Sequence, residues 1–369
     1  MEENITFAFQ GGRKKRLEDP HNTYAHDFFY TYHIFKKNFN NVNIIEFTDS
    51  NNYLIKKVFQ FIRYLTTIPF YTEKIKYKKN KEIIQKTTHL ICTNQRVAFS
   101  LIPYVLKNRL SKKIKISVFI MGLFLDQKRH FVRRILRHSL IFCLCGLVQN
   151  LFFLSKNEMK YAKSKFPRYA HKFHFIPFAV DVDFWKPNLS FNQKEYLLFI
   201  GNDEKRDFDF IKKLSKRMGQ FNFILISKFL HSKDFEFSKN IQVINGKWSE
   251  DTISDIELRS IYDKSLLSLI PLIDSHQPSG QSVALQSMSM KVPVIITETV
   301  GFWEKEKFEN NKNIFFMKEN NLENWEIMIK KLIENSEHLK SVAYKGNKTI
   351  LENYNLDNFY KKIVEIIFN

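Results

Sequence analysis

The sequence predicts an α/β protein made of two Rossmann-like domains, each a parallel sheet with crossover helices, and three observations carry that expectation. Short β-branched and aromatic runs alternate with longer helical patterns throughout, the sign of parallel strands joined by helices. The pattern breaks near residue 187 and then starts again. The length of 369 residues suits two domains, each large enough to bury its own core. Apolar residues make up 44% and aromatic residues 15%, far above the disordered range, and no repeat or Gly/Ser-rich stretch interrupts them.

In the first half, strands are expected at 5–10, 42–47, 89–93, 116–120, 151–154 and 173–176, with helical patterns such as 74–86 and 128–142 between them. The second half repeats the scheme with strands at 196–200, 221–227, 241–245, 265–270, 294–297 and 313–316. The apolar stretch from Ser139 to Leu154 is interrupted by Gln149 and Asn150 and falls short of the ~20 residues of a membrane span. It is expected to be a buried helix followed by a strand. Polar residues and a proline at 181–193 mark a linker or hinge. The domains are therefore placed at 1–187 and 188–352, with an amphipathic C-terminal helix at 353–369 expected to pack back on the first.

The charge is unevenly placed. Residues 1–187 carry 33 Lys and Arg against 13 Asp and Glu, whereas residues 188–369 carry 25 of each, so the net charge of +20 lies entirely in the first half. Such asymmetry points to an anionic partner, an acidic membrane face or a nucleic acid, or else to a solvated lysine-rich surface. No nucleic-acid-binding motif accompanies it. Lys107–Lys115 and 128–137 are the segments expected to meet acidic headgroups. Cys92, Cys143 and Cys145 show neither C-x-x-C spacing nor a partnering His cluster, so no disulfide scaffold or metal site is expected, and a reducing cytosol fits. The acidic start, Met1-Glu-Glu-Asn, lacks the pattern of a signal peptide.

Two segments of the second half could hold an anion. The strand 196–200 delivers its C-terminal end to Gly201-Asn-Asp-Glu-Lys205-Arg206-Asp, and in open α/β sheets that edge is where ligands bind. Gly201 allows close backbone approach, and Lys205 or Arg206 supplies charge-assisted hydrogen bonds to a diphosphate; an ordinary strand-turn-helix is the plain alternative. The strand 265–270 leads through a proline-rich loop to Ser279-Gly280-Gln281-Ser282 and a helix over 283–290. Backbone N–H groups and the helix dipole favour an anion there, and Gly280 removes a blocking side chain. Gln286, one turn inward from Ser282, faces the same side, where its amide could meet a ribose hydroxyl. A serine N-cap before a buried helix is the simpler account.

The order of these parts resembles the donor site of group 1 GT-B glycosyltransferases. The resemblance rests on 279–288 followed by Val292-Pro293-Val294-Ile295, on the cationic loop 201–207, on 255–269, and on Ile176-Pro-Phe-Ala-Val-Asp-Val-Asp-Phe-Trp-Lys-Pro187, which is similar to the family's interdomain segment. It covers roughly 174–369, while the first half matches only in layout. What it implies is a GT-B fold, two Rossmann-like domains facing across a cleft, with a nucleotide diphosphate sugar as donor. It also implies a glycan or lipid-linked acceptor, and a place in cell-surface polysaccharide or lipopolysaccharide assembly. No cofactor or obligate metal is implied. Hexosyl transfer with retention is the family expectation, but the paired glutamates of the usual pattern are replaced here by Pro278 and Gln286.

Within that reading Arg206 and Lys205 stabilise the leaving diphosphate. Gly201, Ser279, Gly280, Gln281, Ser282 and Gln286 bind the donor, and Trp248 after the third strand either stacks on its base or is a half-buried packing residue. Gly11 and Gly12, which end the first strand, contact phosphate or acceptor, or simply make a tight turn. Where relatives place His-Gly after the fourth strand this chain has Met121-Gly122, which leaves Asp126, His130 and His138 as nearby candidates for a base, with an ordinary surface His or Asp the simpler description of each. The protein is expected to be cytoplasmic, possible also at the inner face of the membrane. The competing readings are a GT-B sugar-nucleotide epimerase and a basic anion- or nucleic-acid-binding protein.

Overall fold

The computed structural model describes residues 3–19, 23–48, 52–109, 114–125, 130–189, 193–247 and 252–368. The chain forms two compact units. One comprises Met1–Pro20, Phe29–Ile176 and Tyr360–Asn369, the other His21–Phe28 and Pro177–Phe359.

The first unit holds a six-stranded sheet of β1 (Asn4–Phe9), β2 (Asn41–Glu46), β3 (His89–Cys92), β4 (Lys115–Ile120), β5 (Asn150–Phe153) and β6 (Phe173–Phe175), in the order β2-β1-β3-β4-β5-β6. The second holds β7 (Tyr196–Ile200), β8 (Asn222–Ile226), β9 (Ile241–Ile244), β10 (Ser265–Ile270), β11 (Val294–Thr297) and β12 (Phe315–Met317), in the order β12-β11-β10-β7-β8-β9. Every strand pairing is parallel. Each expected strand is present. The central ones read as unbroken apolar runs because helices cover both faces: Val118, Phe119 and Ile120 are fully buried, as are Leu197, Leu198 and Phe199.

Helix boundaries moved more. The pattern expected from residue 74 becomes a helix only at Tyr77, because Thr72–Lys74 form a 3-10 turn and Lys76 stands at the helix start. The apolar stretch after Ser139 belongs to the helix Phe131–Leu147, which buries Ile141, Leu144 and Cys145 but leaves Phe142 and Cys143 exposed. The helical part of that stretch is therefore buried along one side only, where a buried helix was expected. No helix among the described residues is long and apolar enough to cross a membrane.

The segment expected as a linker near 181–193 is anchored instead. Trp185 is fully buried and meets Tyr262 edge-on at 5.6 Å, and the carboxylate of Asp263 accepts the backbone N–H groups of Asn188 and Leu189. The division between units therefore falls after Ile176, not at 187. At the other end the helix Leu356–Phe368 passes into the first unit at Tyr360. There Tyr360 meets Phe35 at 4.9 Å, and Phe368 stacks on Phe39 at 5.4 Å.

Ile363 lies on this last segment and is completely buried. Truncating it leaves a cavity as well as lost apolar burial, so Ile363→Ala is expected to lower stability by about 2–5 kcal/mol, read from the midpoint of urea unfolding.

Candidate functional site

In each sheet the strand order reverses next to the first strand of that unit, between β1 and β3 and between β7 and β10. Ligands of open α/β sheets bind outside the carboxyl ends of the strands at such a point. Gly11 and Gly12 follow β1 at the first of these places, both exposed, Gly12 at φ 90° opening the helix Arg13–Leu17. A Cβ on Gly11 would come within 3.3 Å of the Phe47 carbonyl. They belong to the first unit, and the remaining candidates belong to the second.

At the second reversal the loops after β7 and β10 are laced together. Arg206 and Leu272 form an antiparallel bridge, Asp207 N–H donates to Pro271 O at 3.0 Å, and Ile273 N–H donates to Lys205 O at 2.8 Å. Asn320 adds a clasp, donating to Asp207 and to Leu272 O while accepting from the Thr297 hydroxyl at 2.6 Å. These contacts fold the side chain of Arg206 back over the end of β7. A Cβ on Gly201 would lie 2.6 Å from its Cγ and 2.8 Å from its Nε. Only glycine leaves room there.

The guanidinium ends against the start of the helix Gln281–Ser289. Gly280, at φ 79°, caps that helix without a side-chain hydrogen bond, and a Cβ on it would sit 3.0 Å from the nearer terminal nitrogen, Nη1, of Arg206. Arg206 is 4% exposed; its Nε donates to Asp203 at 3.0 Å, while Nη1 is buried without a hydrogen-bond partner. Burial pulls the pKa of Arg206 down, with the Asp203 carboxylate opposing the shift. Asp203 is itself held by the Ser279 hydroxyl, which donates to it at 2.5 Å. A buried guanidinium beside a helix N-terminus puts like partial charges together, an arrangement that costs free energy. Lys205 is half-exposed on the same loop, and Ser282 is half-exposed in the first helical turn.

Gln286 behaves differently from its expected role. It is buried, donates from its amide nitrogen to Asp27 at 2.7 Å, and accepts from the Tyr262 hydroxyl at 3.2 Å. Both ends of the amide are thus used within the protein, and in this conformation it is a structural group, not one presented to a ribose. Asp27 also accepts from the Trp185 indole at 2.8 Å and the Asp181 N–H at 2.6 Å, and burial outweighs these donors to push its carboxyl up to about 7. Sequence reasoning missed Asp27, Asp203, Tyr262 and Asn320. The spacing of Asp203 before Arg206 was the only local signal available. Trp248 and Asp126 lie outside the described residues.

In the first unit the loop after β4 is held by its own partners. The Gln95 amide brackets Met121, donating to its carbonyl at 2.8 Å and accepting its N–H at 3.1 Å, and Glu158 accepts the Gly122 N–H at 2.6 Å. His130 is exposed, and His138 stacks on Phe166 at 4.6 Å. Glu158 is fully buried with its second oxygen unpartnered, and burial pushes its carboxyl up to about 8. No group of three or more potential metal ligands occurs among the described residues.

No protein-family model and no curated protein sequence matches this chain. Solved structures do. The structure of Alr3699/HepE from Anabaena in complex with UDP and glucose aligns over 100% of both chains with a TM-score of 0.67 at 11% identity. Sucrose-phosphate synthase from Thermosynechococcus elongatus aligns over 99% of this chain and 98% of its own, with a TM-score of 0.70 at 10% identity. A glycosyltransferase from Rickettsia africae covers 99% and 97%, with a TM-score of 0.67 at 14% identity. The fold is GT-B, two parallel α/β sheets of six strands each.

Two outcomes test this geometry. Gly280→Ala must strain a positive φ and press on Ile270 and Arg206, so a loss of about 1–2 kcal/mol in unfolding free energy is expected. The carboxyl of Glu158 is raised from 4.5 to about 8, so its contribution to stability is complete below the unfolded value and fades as pH rises through about 8. Glu158→Gln keeps the acceptor for Gly122 and removes the titration. Its thermal midpoint should gain on the unsubstituted protein between pH 5 and pH 9, and parallel pH curves would refute the assignment.

Proposed function

We propose that this chain is a glycosyltransferase that moves a sugar from a nucleotide diphosphate donor to a glycan or lipid-linked acceptor. One observation carries the reading: the unpartnered, buried Nη1 of Arg206 against the uncapped helix start at Gly280, at the reversal point of a GT-B fold. Two positive features side by side need an anion, and a diphosphate supplies one with enough oxygens to meet both. Its neighbours in fold support that identity. Alr3699/HepE was solved with UDP and with UDP-glucose, and TarM, at a TM-score of 0.56 and 11% identity, was solved with UDP.

The chemistry follows from the charge. As the bond between the anomeric carbon and the diphosphate breaks, the electron pair leaves with the phosphate oxygen. Arg206 and Lys205 meet that growing negative charge together with the helix N-terminus at Ser279–Ser282, and preorganised donors of this kind lower the barrier without reorganising. The acceptor oxygen forms the new bond to the anomeric carbon, and its proton passes to the departing diphosphate. Gly201 admits the guanidinium, and Asp203, fixed by Ser279, orients it. A hexosyl donor and retention at the anomeric carbon belong to the same reading and rest on the resemblance of the donor loop.

The assignment makes an unusual pairing of effects. Arg206→Met should weaken UDP binding by about 100-fold in calorimetry, the value of charge-assisted hydrogen bonds lost. The thermal midpoint should stay level or rise, because an incompletely satisfied buried cation is removed. A variant that binds UDP as before defeats the diphosphate site.

A further inference from the structure

The helix Tyr53–Thr66 of the first unit has no buried residue along its 14 positions. Its inward stripe, Phe59, Ile62 and Thr66, is only half-buried. A second apolar stripe at helical spacing, Leu54, Val58, Phe61 and Leu65, lies beside the first and is exposed, with Leu54 at 74% and Phe61 at 64%. No core requires that stripe. Beside it runs the helix Phe131–Leu147, whose first turns expose Phe131, Val132 and Ile135. The two are fastened together: the Arg133 guanidinium lies 3.9 Å from the centre of the Tyr64 ring, and Arg137 donates to Thr67 O at 2.9 Å and Leu123 O at 2.6 Å. Together they make one exposed apolar patch.

Charge says what covers it. Arg63 is taken up by Glu73 and Arg137 by the carbonyls of Thr67 and Leu123, which leaves Lys56, Lys57, Arg133 and Arg134 to charge this face, and neither helix carries an acidic residue. Lys57 lies 5.3 Å from the Tyr53 ring, and Arg134 lies 5.8 Å from the Phe131 ring. Cations and aromatic rings thus share one face. A second copy of the chain docked face to face would oppose like charges, which self-complementary interfaces avoid. An anionic lipid surface answers both features, since apolar side chains enter the headgroup boundary while cations meet phosphates. The helices are of 14 and 17 residues, too short and too charged to span, so they would lie flat.

We infer that the helices Tyr53–Thr66 and Phe131–Leu147 form a docking surface for an anionic lipid bilayer. This goes beyond the donor site and is independent of it, because it uses only first-unit residues.

The test is co-sedimentation of the full chain with phosphatidylcholine vesicles, with and without about 30% phosphatidylglycerol, an anionic fraction large enough to set a surface potential. The chain should bind the anionic vesicles and lose binding as salt is raised. Leu54→Ser with Phe61→Ser, and separately Lys56→Glu with Lys57→Glu, should each weaken binding about tenfold or more. Thermal midpoints and UDP affinity should be unchanged in both, so a failure of the donor site shows as lost UDP binding in every protein and leaves this measurement intact. Equal binding to neutral and anionic vesicles, no binding at all, or unchanged binding in either double variant overturns the inference. A dimer that the Leu54→Ser, Phe61→Ser variant disrupts would also overturn it, assigning the face to a second copy.

Discussion

The buried guanidinium of Arg206 is the constraint around which the loops at the carboxyl edge of the second unit's sheet are arranged. A cation removed from water and set beside a helix N-terminus is expensive, and the surrounding residues make sense as ways of holding it there. Gly201 and Gly280 vacate the volume it occupies, Asp203 pairs with its Nε, and Ser279 fixes Asp203. Behind it, Asn320 and the bridge between Arg206 and Leu272 hold the two loops at one spacing. The site is stiff because its backbone is tied at several points.

A buried carboxylate organises the other side of the same helix. Asp27 comes from a short segment far from the rest of its unit in sequence, yet it gathers Gln286, Trp185 and the Asp181 N–H around one group. This explains how the chain can lack a carboxylate at Gln286 and keep the helix in place. The amide is a donor to Asp27 and an acceptor for Tyr262, two roles that a glutamate could not fill at once while ionised. The Pro177–Pro187 segment is drawn into the second unit by the same cluster, through Trp185.

Much of the fold was legible in the residues because the signals are local. Strands such as β4 and β7 declare themselves as short apolar runs between turn residues, and the start of the helix at Gln281 is marked by the Ser-Gly that precedes it. The cationic loop was legible for the same reason: a glycine and two cations follow a strand. Exposure was not legible. The apolar residues of Tyr53–Thr66 have the composition of a core helix, and only the fold shows that most of them are exposed.

The sequence alone determined the class of fold, the order of strands and helices along the chain, and the chemistry available at each loop, since these depend on periodicity and on neighbours a few residues apart. Tertiary structure decided which of those groups meet. Gln286 pairs with Asp27 across 259 positions, Ser279 with Asp203 across 76, and the guanidinium of Arg206 with the start of a helix that begins far downstream. Such pairings are set by the order of strands in the sheet and by the exclusion of water around buried polar groups, neither of which leaves a local mark on the sequence.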